Sequence, residues 1–134
     1  MYNFLLVAVL FFVPYGLLYA GNINPPENLS SSLNREYDPS ISPDGRYVAY
    51  CAESNGDENV WLLDLKDRKN RQLTFHSASD YSPGFMGNSK ILFVSRRGNS
   101  LGEIYLTDLK GKEQVLTVGG PGYYDTPVAS EDGK

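Results

Sequence analysis

The chain has 134 residues, a formal net charge of −4, one cysteine and one histidine. This length accommodates one domain, and the mild acidity argues against non-specific nucleic-acid binding. A lone Cys51 excludes an intrachain disulfide, and a lone Cys51 plus a lone His76 exclude a zinc site built from several such ligands.

Residues 4–13 form an unbroken apolar run, which Pro14-Tyr15-Gly16 breaks before Leu18-Tyr19-Ala20. This is the plan of an export leader, and cleavage is expected after Ala20. The start lacks Lys or Arg and Leu18 is not small, so an uncleaved membrane anchor at residues 1–20 is the alternative. A helix is expected only within residues 3–19. Residues 21–35, rich in Asn, Pro and Ser, read as an exposed linker. Within it, Asn28-Leu29-Ser30 matches a glycosylation sequon, relevant only in a eukaryotic secretory pathway.

A spacing of 44 residues organises the remainder: Pro39, Pro83 and Pro127 keep it, as do Trp61 and Tyr105, Asp64 and Asp108, and Leu65 and Leu109. A period in the low forties is the length of one four-stranded propeller blade. Short Val-, Ile-, Leu-, Tyr- and Phe-rich runs alternate with Gly, Asn, Asp and Pro clusters, the pattern of antiparallel strands. Strands are expected near 39–42, 47–52, 59–65, 71–75, 81–85, 90–95, 103–109 and 114–118. Tyr47–Cys51 and Ile91–Val94 are nearly all apolar and should be buried on both faces. Ser42-Pro43-Asp44-Gly45 specifies a tight hairpin, because proline presets φ and glycine takes the left-handed position. Met86-Gly87-Asn88-Ser89 is a degraded version and should be looser. Ser130-Glu131-Asp132-Gly133 opens a third copy. In the same register, Leu29-Ser30 lies 44 residues before Leu73-Thr74, where a fourth strand of a preceding blade would stand.

These residues carry a family resemblance. Asp38-x-x-x-Ser42-Pro43-Asp44-Gly45, Val48-Ala49-Tyr50, Val60-Trp61-x-x-Asp64-Leu65 and Gln72-Leu73-Thr74 resemble the TolB-type, WD-like propeller repeat. Pro83, Tyr105, Asp108, Leu116, Thr117, Pro127, Asp132 and Gly133 continue the signature in the later copies. The resemblance implies an all-β propeller fragment of about two and a half blades. Its divisions would be 36–79, 80–123 and the start of a third blade at 124–134. It implies a non-catalytic, exported platform for other proteins, periplasmic or secreted, in the manner of the Tol–Pal envelope system. Its partners would be envelope proteins or further C-terminal blades, without nucleic acid, and it would touch the membrane only through residues 1–20. Two alternatives stand beside it: the propeller of a prolyl-oligopeptidase-like serine peptidase without its hydrolase domain, and a carbohydrate-binding secreted propeller. TolB proper has an α/β domain ahead of its propeller; here only residues 21–37 separate the leader from Asp38.

No catalytic, cofactor or metal site is expected. His76 lacks a nucleophile elbow and reads as a loop residue. Asn55-Gly56-Asp57-Glu58 lacks the ligand spacing of a calcium loop and reads as a turn. Cys51 reads as a small core filler. Asp38, Asp80 and Asp125 recur before each proline and are expected at one repeated turn position. Tyr37, Tyr81, Tyr123 and Tyr124 cluster near the same point, where they either line one face of the propeller or pack between blades. Two and a half blades leave open edges, so the fragment is expected to be poorly stable as an isolated chain.

Overall fold

A computed structural model of the chain describes residues 26–30 and 34–130. The expected leader helix lies outside these residues, as do Asp132 and Gly133. Eight strands are present: β1 (Glu36–Ile41), β2 (Tyr47–Ser54), β3 (Asp57–Asp64), β4 (Lys69–Gln72), β5 (Asp80–Met86), β6 (Lys90–Ser95), β7 (Glu103–Asp108) and β8 (Glu113–Val115). They form two four-stranded antiparallel meanders, β1-β2-β3-β4 and β5-β6-β7-β8. No helix occurs among the described residues, so the architecture is all-β.

The Ser42–Gly45 hairpin forms through its side chains as well as its backbone. The Ser42 hydroxyl donates to Asp44 Oδ1 (2.6 Å) and accepts the Tyr47 N–H (2.9 Å). The Gly45 N–H closes on the Ser42 carbonyl, and Gly45 sits at φ +71°. The second copy departs from expectation here. Only three residues, 87–89, join the paired Met86 and Lys90, so that hairpin is shorter rather than looser. The 44-residue period survives because a longer loop compensates. In the first blade Ser54 pairs with Asp57 across Asn55-Gly56, both left-handed, which makes a two-residue turn. In the second, residues 96–102 intervene between the paired Ser95 and Glu103.

The fourth strand also ends earlier than expected, at Gln72. The N–H groups of Leu73 and Thr74 both turn onto the Val60 carbonyl (2.8 and 3.3 Å). The Thr74 hydroxyl then accepts the Val60 N–H at 3.0 Å. Leu116 and Thr117 repeat the device on Ile104, with the Thr117 hydroxyl 2.8 Å from the Ile104 N–H. The Leu-Thr pair therefore ends each blade by substituting a hydroxyl for the next rung of the ladder. Asp64 and Asp108 cap the preceding turn: Asp64 Oδ1 accepts the Lys66 N–H, and Asp108 Oδ1 those of Lys110 and Lys112.

The core lies between the two sheets. Ala49, Val60, Leu62 and Leu73 of the first pack on Ile91 and Phe93 of the second, with Tyr105 and Leu109 at its border. Burial of the larger of these, Val60, Leu62, Leu73, Ile91 and Phe93, contributes about 1.5–3 kcal/mol each. The opposite face of the first blade carries Val48, Tyr50, Ala52 and Leu63, bordered by Trp61, Leu65 and Leu29. Strand registers make Trp61 equivalent to Tyr105 and Tyr50 equivalent to Phe93. Leu29 thus borders the first blade as Leu73 does the second.

Candidate interaction surface

The innermost strand of each blade is interrupted at one point. Register shifts between Tyr37 and Ser40 and between Tyr81 and Gly84 place a β-bulge in β1 and β5. Each bulge holds a proline, Pro39 or Pro83, which has no N–H to give the ladder. The residue before each proline is left-handed: Asp38 (φ 51°), Ser82 (φ 51°) and, before Pro127, Thr126 (φ 48°). Such backbone costs on the order of 1–3 kcal/mol per non-glycine residue and persists only where its surroundings enforce it.

These positions form a continuous surface. The Ser82 hydroxyl lies between two carboxylates, 3.4 Å from Asp38 Oδ2 and 3.2 Å from Asp125 Oδ1. One serine thereby links all three copies. Gly84 makes room for the third: a Cβ there would come within 2.9 Å of the Pro127 carbonyl oxygen. Beside this row, Arg96 stacks on the Tyr81 ring (5.0 Å to its centroid) and donates to the Tyr123 hydroxyl at 3.3 Å. The Tyr81 hydroxyl reaches the Tyr124 carbonyl at 3.4 Å. Tyr123 is exposed and Tyr124 half-buried. Tyr37 stands apart from them, donating to Glu58 Oε1 at 2.6 Å under the stacked Arg35. Burial, and then that hydrogen bond, push the Tyr37 phenol up.

The equivalence expected among Asp38, Asp80 and Asp125 does not hold. The left-handed site recurs as Asp38, Ser82 and Thr126. Asp80 is the counterpart of Glu36, fully buried and paired with Arg97 (2.7 Å), while Asp125 falls where Tyr81 stands one copy earlier. The 44-residue spacing from Asp38 points to Ser82 and Thr126, and Asp80 lies two residues and Asp125 one residue before these positions. The basic pair Arg96-Arg97 reads from sequence as a solvated turn, but Arg97 is instead paired with the buried Asp80; nothing in the local sequence distinguishes Gly84.

The remaining candidates behave as ordinary structure. Cys51 is fully buried, its Sγ 4.0 Å from the Asp80 carbonyl, and burial pushes its thiol up to about 12, far from a reactive thiolate. His76 is exposed, and its Nδ1 accepts the Ala78 N–H within the loop after β4. Glu58 is engaged by Tyr37. Among the described residues no three His, Cys, Asp or Glu side chains gather as metal ligands.

Two tandem four-stranded antiparallel meanders, with a third copy beginning on the same inner surface, define a protein of the β-propeller repeat class. No protein-family model matches the chain. A stretch of 52 residues is 36% identical to the protein TolB homolog of Protochlamydia amoebophila (strain UWE25), covering 38% of this chain and 11% of that protein. The crystal structure of TolB from Acinetobacter baumannii matches with a TM-score of 0.60 at 30% identity, over 72% of this chain and 24% of its own. A TolB structure from Agrobacterium tumefaciens matches with a TM-score of 0.65 at 21% identity, over 72% and 35%, and speaks for the fold alone. In sequence and fold the chain is similar to TolB-type propeller repeats over the parts these matches cover. It spans about a third or less of the length of each of these relatives.

Proposed function

We propose that the chain is a non-catalytic, exported TolB-type propeller segment whose inner-strand surface binds a protein partner of the cell envelope, in a Tol–Pal-like role. Residues 1–20 serve as export signal or anchor, 21–35 as linker and 36–134 as repeats, with blades at 36–79 and 80–123 and a third beginning at 124. The location is periplasmic or secreted. The observation that carries this reading is the row of Asp38, Ser82 and Asp125 across three copies, with left-handed backbone at Asp38, Ser82 and Thr126 and with Tyr81 and Tyr123 at its edge. A surface that keeps strained backbone and joins every copy is a recognition surface more than a packing one.

Calorimetric titration of the full chain with the Pal lipoprotein of its own organism tests this. Saturable binding is expected, and Ser82→Arg, which crowds both carboxylates, should abolish it while leaving the circular dichroism spectrum unchanged. No binding by the wild-type chain, or undiminished binding by Ser82→Arg, contradicts the proposal.

A further inference from the structure

The two blades share a site that only one of them fills. In the second blade, Arg97 folds back from the 96–102 loop over the sheet. Its guanidinium lies 4.7 Å from the Tyr105 ring centroid and 5.7 Å from that of Phe93. It donates to Asp80 Oδ2 (2.7 Å), to Ser95 Oγ through Nε (2.8 Å) and to Glu113. Two aromatic walls, an inner-strand carboxylate and a fourth-strand acceptor thus enclose one cation.

Strand registers map this cradle onto the first blade. Asp80 corresponds to Glu36, Phe93 to Tyr50, Tyr105 to Trp61 and Glu113 to Asn70. These four line one open cavity of about 200 Å³. The first blade has no counterpart of Arg97, because its second and third strands continue to the two-residue turn at Asn55-Gly56. Two buried polar atoms of the lining residues have no partner among the described residues, Asn70 Oδ1 and Trp61 Nε1. The Asn70 amide nitrogen is committed to the Ser30 carbonyl at 2.7 Å, so Oδ1 is its free acceptor. The phenol of Tyr50 is pushed up by burial and then by the charge of Glu36. The nearest arginine in sequence, Arg35, is stacked on Tyr37.

We propose that this cavity is a receptor for an arginine side chain presented by another polypeptide. Its guanidinium stacks between Tyr50 and Trp61 and donates to Glu36 and Asn70 Oδ1. The indole N–H of Trp61 donates to a carbonyl of the arginine-bearing segment. The cavity is smaller than the roughly 300–1,000 Å³ of sites for drug-sized ligands, which fits a single side chain.

Trp61 is the chain's single tryptophan, so its fluorescence reports on this site alone. The full chain is titrated with N-acetyl-arginine amide, and in parallel with N-acetyl-citrulline amide, which keeps the shape and loses the charge. A saturable change with arginine is expected, with a midpoint on the order of 1–10 mM for one side chain without its flanking sequence. Citrulline should give none. Glu36→Gln, at a half-exposed position where folding is not at risk, should weaken the midpoint about tenfold, as loss of a charged hydrogen-bond partner does. Absence of saturation with arginine, an equal response to citrulline, or wild-type affinity in Glu36→Gln overturns the proposal.

Discussion

Thr74→Val tests the role given to the Leu-Thr pair. The replacement keeps the side chain's volume and removes its hydroxyl. Thr74 and Val60 are both 0% exposed, so water cannot replace the lost acceptor. The Val60 N–H, now bonded to Thr74 Oγ1 at 3.0 Å, becomes a buried donor without a partner, and Asn59 Oδ1 loses the hydroxyl at 3.3 Å. An unsatisfied buried group costs about 1–3 kcal/mol, and each kcal/mol lowers the unfolding midpoint of a domain of 60–100 residues by roughly 4–8 °C. The same change in the second blade is the internal control. Thr117 makes the equivalent bond to Ile104 at 2.8 Å, but both residues are only half-buried and water can take over. Thr117→Val should therefore cost less than about 1 kcal/mol. Thermal unfolding of the full chain, followed by circular dichroism, reads both variants. A Thr74→Val midpoint equal to wild type, or a larger loss in Thr117→Val, refutes the reasoning.

Arg97→Met should destabilise by about 3–5 kcal/mol, because it strands the fully buried Asp80 carboxylate; the double variant with Asp80→Asn should recover part of the loss, and chemical denaturation measures both. Gly84→Ala forces a Cβ against the Pro127 carbonyl, so amide exchange at residues 126–128 should quicken while β6 and β7 keep their protection; unchanged exchange there would speak against the packing of the third copy. Acid should destabilise the chain. The Asp44 carboxyl is held below its ordinary range by the Ser42 hydroxyl and the Arg46 N–H, and that of Asp108 by the N–H groups of Lys112 and Lys110. With folded pKa values below unfolded ones, their contribution is complete above about pH 4 and is lost as pH falls through the lower folded values. Asp44→Asn with Asp108→Asn should flatten the acid limb of a midpoint-against-pH curve, and an unaltered limb would exclude these two carboxylates as its cause.

The blades were legible in the sequence because their determinants are local. Ser42-Pro43-Asp44-Gly45 carries its own turn chemistry, and the apolar runs at 47–51 and 91–94 announce buried strands. The spacing of Trp61 and Tyr105 also matched, since both sit on third strands in one register. What escaped depends on contacts between copies. The inner-strand bulge keeps a 44-residue spacing at Asp38, Ser82 and Thr126, but unlike side chains occupy it, and acids stand nearby at Asp80 and Asp125. The ends of the fourth strands were misplaced by a few residues because a threonine hydroxyl ends a ladder that composition alone would extend. Arg97 could not be assigned from sequence, since its partners Asp80, Ser95 and Glu113 meet only once the sheet has formed. Its absence from the first blade is an absence of loop length, which a repeat alignment at constant period conceals.

The proposed function places the partner on the inner-strand surface. Hydrogen–deuterium exchange of the full chain with and without Pal tests it most directly. The account predicts new protection at residues 37–40, 81–85 and 123–127, with the outer strands β4 and β8 unchanged. Protection confined to the outer strands, or none anywhere under conditions where the two proteins bind, would contradict it.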